Sequence, residues 1–134
     1  MITHHELCFG CGQANLFGLQ LEMEREGDGA VRGRFFVKQD HQGPPGHAHG
    51  GIVGAALDEA MALASGEGRE SAITARFEVD LRAPAPIGAF LELEASVAPA
   101  GDRRLHGSAT ARHEDGTLVA EARAVLVRVE APAA

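Results

Sequence analysis

The chain has 134 residues, a formal net charge of −7 and 45% hydrophobic residues, with no Trp and no Tyr. That length suits one domain with a real core. The acidity argues against nucleic acid and anionic membrane as partners, and the low aromatic content argues against a base-stacking surface. No run of 18 apolar residues occurs, so no transmembrane helix is expected. Met1 to Glu6 lacks the basic start and apolar stretch of a signal peptide, which makes the cytoplasm the expected compartment.

Residues 1–16 form a glycine-rich N-terminal segment that holds both cysteines, in Cys8-Phe9-Gly10-Cys11-Gly12. Three readings of this C-x-x-C stand side by side. The plainest, and the expected one, is a turn carrying two small, half-buried thiols. A structural zinc site needs four ligands, to which His4 and His5 could contribute. A redox pair normally opens a helix in a thioredoxin-like βαβ context, which is absent here.

Across 17–25, Leu19, Leu21 and Met23 alternate with Gln20, Glu22 and Glu24, which is strand spacing. Gly27-Asp28-Gly29 turns the chain, and Val31, Gly33, Phe35 and Val37 alternate after it, completing a hairpin. Residues 38–49 read as a loop stiffened by Pro44-Pro45 and turned by Gly43 and Gly46. Residues 50–65 lack Pro and are rich in Ala, Leu and Met, predicting a helix about 24 Å long. Ser65-Gly66-Glu67-Gly68 closes it.

The period then returns to two. Ile73, Ala75, Phe77, Val79 and Leu81 alternate with Thr74, Arg76, Glu78, Asp80 and Arg82. Pro84 to Gly88 breaks the run, and Leu91, Leu93, Ala95 and Val97 form the next apolar face. A turn at Pro99 to Asp102 leads to a weaker strand over 104–113, and Asp115-Gly116 signals a hairpin. The last strand, 117–129, places Leu118, Ala120, Ala122, Ala124 and Leu126 on one face, and 130–134 is expected to fray.

The order is therefore β-β-α-β-β-β-β, an α+β domain. A helix that is apolar all round needs cover all round. Six strands can supply it as a single curved antiparallel sheet wrapped around the helix. The small side chains of Ala120, Ala122 and Ala124 would let the sheet approach closely.

This apolar helix carries Asp58 and Glu59. A buried carboxylate is costly unless paired, hydrogen-bonded or protonated. Glu59 lies about 100° around the helix from Asp58 and cannot share its role. At the helix start, the Gly50 and Gly51 N–H groups have no intrahelical acceptor and face outward with the helix dipole. They could donate to a developing oxyanion, or the two glycines could simply allow a tight entry into a crowded helix.

The residues also carry a family likeness. Cys8 to Gly12, Asn15, Gly18-Leu19, the H-Q-G-x-P-G-x-x-H-G-G run from His41 to Gly51, Leu57 to Ala60, and the R-x-P-x-P-x-G run from Arg82 to Gly88 follow in order. Together they resemble the PaaI-like branch of the hotdog-fold acyl-CoA thioesterases; Phe17 departs from the usual residue. The resemblance implies a single hotdog domain over 1–134 that hydrolyses a small, medium-chain or aryl acyl-CoA, with no cofactor. It implies Asp58 as base or nucleophile, Gly50 and Gly51 close to the thioester, and His49 orienting that corner or assisting polarisation. Thr74 would place a hydroxyl near the attacking water, and Gln42 would touch the thioester carbonyl or the loop backbone. Arg82, Arg103 and Arg104 are the basic residues that could meet the CoA phosphates. The groove would lie between two subunits of a homodimer or homotetramer, with His49 and Gly50 from one chain and Asp58 from the other. No metal is expected, and a site from His41, His47, His49 and Asp58 is set aside. The alternatives are a non-catalytic acyl-CoA-binding protein and, last, a hotdog dehydratase.

Overall fold

A computed structural model describes residues 1–67 and 71–129. The predicted frayed tail, 130–134, and the part of Gly68 in closing the helix lie outside the described residues. The elements are β1 (Glu22–Gly27), β2 (Ala30–Phe36), a single 3-10 turn (Gln39–His41), α1 (Gly50–Ser65), β3 (Ile73–Leu81), β4 (Phe90–Pro99), β5 (Arg104–His113) and β6 (Leu118–Val127). The strands form one antiparallel sheet in the order β1-β2-β4-β5-β6-β3. This is the predicted arrangement, one helix held by six strands, and α1 has the predicted bounds.

The core lies between helix and sheet. Val53, Ala56, Leu57, Ala60, Met61 and Leu63 of α1 are buried, as are Phe35, Leu91, Leu93 and Leu126 of the strands. Ala109, Ala111, Ala120, Ala122 and Ala124 line the middle of the sheet and are nearly inaccessible. Their small side chains keep the helix close, as the spacing suggests. The β1–β2 hairpin closes through Asp28-Gly29, with Gly27 opposite Ala30 and Gly29 at a φ of 68°, a backbone state that glycine adopts without strain.

Three places differ from the strand readings. The first strand begins at Glu22, not 17. Leu19 and Leu21 are buried as their alternation requires, but their N–H groups donate to Phe9 O (2.7 Å) and Gly10 O (3.0 Å) of the N-terminal segment. In β6, the register slips so that Ala111 faces Ala120 while Arg112 faces Leu118. Val119 is the extra residue; it turns inward and is buried, while Leu118 shares the outer face with Arg112.

The third difference shapes the site. In β3, Thr74 pairs with Leu126 and Arg76 with Val125, so Ala75 is the extra residue of a bulge. Directly paired residues on neighbouring strands share a face of the sheet. Strict alternation would put Thr74 outward beside Arg76. The bulge puts Thr74 on the inner face with Leu126, which is fully buried, and leaves Ile73 exposed. Bulges re-aim side chains in this way.

Candidate active site

The corner that feeds α1 is held from several sides. His41 is buried against Phe35, with ring centroids 5.2 Å apart, and its Nδ1 accepts from Lys38 N at 3.1 Å. Burial, and then the charge of Lys38, lower its pKa, so His41 is a neutral packing residue. Its carbonyl accepts from His49 N at 2.8 Å. The Arg82–Gly88 linker docks on the same loop: Ala48 N donates to Ala85 O (2.8 Å) and Ile87 N to Gly46 O (2.9 Å). Gln42 Oε1 accepts from Gly46 N at 2.6 Å. Of the two roles offered for Gln42, the loop backbone is the one this geometry displays.

His49 is the N-cap of α1, and its Nδ1 accepts from Gly51 N at 2.9 Å. An accepting Nδ1 leaves the proton of the neutral ring on Nε2. The Gly51 N–H is thus occupied within the chain. The Gly50 N–H takes no acceptor among the described residues. The sequence offers two donors at this helix start, and the geometry leaves one.

Asp58 is half-buried on α1, and Thr74 Oγ1 donates to its Oδ1 at 2.7 Å. Burial raises the Asp58 pKa; the Thr74 hydrogen bond opposes this, and the charge of Glu59 adds to it. A carboxylate with one oxygen pinned and its basicity raised is equipped to take a proton from water or to attack an electrophile.

Within one chain these parts do not converge. Gly50 and Asp58 are eight positions apart on α1, which is about 12 Å along the axis. The arginines are also dispersed. Arg82 is shared between Glu121 (3.3 Å) and Asp80 (3.5 Å) at the end of the sheet where Leu81 faces Ala120. Arg103 and Arg104 lie at the opposite end, where Arg104 faces Val127, about 23 Å away along β5. They make no ion pair among the described residues. His47 turns back on its own loop, Nδ1 to Pro45 O at 3.1 Å.

One grouping escaped the sequence reading. Glu59 Oε2 is 2.7 Å from His4 Nδ1, and Cys8 Sγ donates to the same oxygen at 3.5 Å. Glu59 does point away from Asp58, as its helical phase requires, and its destination is the N-terminal C-x-x-C. His5 takes no part; its Nδ1 accepts from Leu7 N.

The thioesterase superfamily model matches residues 45–120, from the His41–Gly51 loop through α1 and the sheet to β6. The chain belongs to the thioesterase superfamily. Acyl-coenzyme A thioesterase THEM4 of Xenopus laevis is 28% identical over 89 residues, which are 66% of this chain and 40% of that protein. The chain therefore spans less than half the length of that curated relative. A thioesterase superfamily protein of known crystal structure superimposes with a TM-score of 0.82 at 26% identity, over 91% of this chain and 60% of that one. The PaaI protein of the Escherichia coli phenylacetic acid degradation operon gives 0.77 at 20% identity, over 88% and 87%. These matches establish the hotdog fold and bear out the PaaI-like resemblance. A Streptococcus pneumoniae hypothetical thioesterase, 16% identical, has the same fold (TM-scores 0.72 and 0.71 over 80% of this chain and 88% of that one). Its structures include one with an aspartate replaced by alanine and one with a threonine sixteen residues later so replaced.

Proposed function

We propose that this superfamily member is an acyl-CoA thioesterase that works as a homodimer. The observation that carries the reading is the Thr74–Asp58 hydrogen bond, formed because a bulge turns Thr74 toward the helix. An Asp and a Thr at the same sixteen-residue spacing are the positions replaced by alanine in two crystal structures of the pneumococcal protein, which is in keeping with the reading. The Xenopus relative, named an acyl-coenzyme A thioesterase, supports the acyl-CoA class; small, medium-chain and aryl thioesters are the candidates.

The dimer follows from what one chain lacks. β3 is an open sheet edge beside the start of α1, and Ile73, Phe77 and Leu81 on it are 58%, 41% and 55% exposed. A second copy pairing at this edge would cover these side chains and bring its own Gly50 toward Asp58. The Gly50 N–H would then donate to the thioester carbonyl oxygen, aided by the helix dipole. Asp58 would take a proton from the attacking water or attack the carbonyl carbon itself. The C–S bond breaks and CoA leaves as its thiol; water attack gives the free acid at once, whereas direct attack leaves an acyl-Asp58 anhydride that a water then hydrolyses to the free acid and Asp58. Arg103 and Arg104, without an ion pair among the described residues, would meet the CoA phosphates, whereas Arg82 is already shared by two carboxylates.

A panel of short, medium-chain and aryl acyl-CoAs, followed by thiol release, tests this reading. Turnover of at least one member is expected. Binding without release from any member would favour the non-catalytic acyl-CoA binder. A pH profile refines the test. Burial raises the Asp58 pKa and the Thr74 hydrogen bond holds it down, so the acid limb of kcat/KM lies above the ordinary carboxylate range. Thr74→Val removes the opposing bond and moves that limb further up in pH. An unmoved limb would separate Asp58 from the titration.

A further inference from the structure

We propose that His4, Cys8, Cys11 and Glu59 bind one zinc ion, a structural site that fastens the N-terminal segment to the central helix. The four donor atoms all lie within 4.8 Å of one another. His4 Nδ1 is 3.8 Å from Cys8 Sγ and 3.6 Å from Cys11 Sγ, and Glu59 Oε2 is 3.5 Å from Cys8 Sγ. Zinc with Zn–S of about 2.3 Å and Zn–N or Zn–O of about 2.0–2.1 Å has tetrahedral edges of roughly 3.4–3.8 Å. Three measured edges fall on or beside that range. The fourth of the six edges, His4 Nδ1 to Glu59 Oε2, is a 2.7 Å hydrogen bond, and opening it by about 0.7 Å would bring it into that range; the remaining two are within 4.8 Å.

The chemistry of the donors points the same way. Two thiols and a carboxylate, all anionic when ionised, converge with one imidazole. Cys11 is fully buried, and the side chains of His4 and Glu59 are only 13% and 14% exposed. Two sulfurs, an imidazole nitrogen and a carboxylate oxygen are the donor types that zinc takes. His4 Nε2 is buried without a partner among the described residues, and the ring's polar contacts there are made from the Nδ1 side that faces the cluster.

The surrounding backbone is shaped to this geometry. Glu59 crosses so close to Gly10 that a Cβ there would sit 2.2 Å from Glu59 Cγ; only glycine admits that approach. The Cys8–Cys11 turn is closed by Gly12 N to Cys8 O (2.8 Å), and His4 N donates to Cys11 Sγ at 3.1 Å. Such an N–H to a ligand atom is the kind of outer contact that orients metal ligands. Four protein ligands leave no open position, which marks the site as structural and not catalytic. A redox role fits less well, because neither cysteine opens a helix and buried Cys11 is closed to an exchanging thiol.

Elemental analysis of protein purified without chelators is expected to find one zinc per chain. The reduced, chelator-stripped wild type should bind cobalt(II) with the intense visible bands of a tetrahedral ion and a thiolate charge-transfer band. Cys8→Ser and Cys11→Ser should weaken that charge-transfer band, His5→Ala should leave it intact, and Glu59→Gln should weaken zinc by about tenfold or more. Folded, reduced wild type that takes up neither zinc nor cobalt, or an intact spectrum in the Cys8→Ser and Cys11→Ser chains, overturns the site.

Discussion

Replacing Asp58 with asparagine is expected to lower kcat for thioester hydrolysis by about 10²- to 10⁴-fold while the chain stays folded. The amide can neither accept the proton of water nor attack a carbonyl. Thr74 can still donate to its oxygen, so the local geometry survives, and KM for the acyl-CoA should change little. Stability should move in the opposite direction. Burial raises the Asp58 pKa in the folded chain, so the folded state holds that proton more tightly than the unfolded state does. Ionised Asp58 therefore costs stability above the ordinary carboxylate range, and the cost vanishes in acid. Asp58→Asn should unfold at a higher urea concentration than wild type at neutral pH, with the difference disappearing as pH falls. Undiminished thiol release from Asp58→Asn would remove Asp58 from the chemistry.

The double substitution Phe77→Glu and Leu81→Glu is expected to give a folded monomer with turnover reduced by about 10²-fold or more, the cost of losing an oxyanion donor. Both side chains are exposed on the open β3 edge, so the change empties no core position. Four glutamates would face one another across a paired edge, and inward or edge charge is a device that blocks strand pairing. In the monomer, Asp58 keeps Thr74 but has no Gly50 N–H within reach. Sedimentation and thiol release, measured on the same sample, check the two effects together. A monomer with wild-type activity would show that one chain suffices.

Most of the fold was legible because it rests on local pattern. The alternation of Leu91, Leu93 and Ala95, and the Pro-free apolar run from Gly50 to Ser65, report burial directly. The bulges at Ala75 and Val119 were not legible, since an extra residue is set by the register between two strands and not by either one alone. That is why alternation sends Thr74 to solvent while the structure sends it to Asp58. The division of labour between Asp58 and Glu59 was readable from helical phase. The partner of Glu59 was not, because Cys8 lies 51 residues away in sequence and nothing local links the two. The loss of Gly51 as a donor depends on how the His49 ring turns, which no spacing reveals.

The shared site can be tested by complementation of two inactive chains. Asp58→Asn lacks the carboxylate. Gly50→Pro lacks the N–H, and proline is well accommodated at the first position of a helix; the nearest obstacle to a side chain there is the mobile tip of Leu81. If Asp58 of one chain works with Gly50 of the other, a mixed dimer holds one doubly altered site and one intact site. Random mixing of the two variants then restores about a quarter of wild-type thioesterase activity, since about half of the dimers are mixed. Failure of the mixture to exceed its separate components would contradict a site shared between subunits.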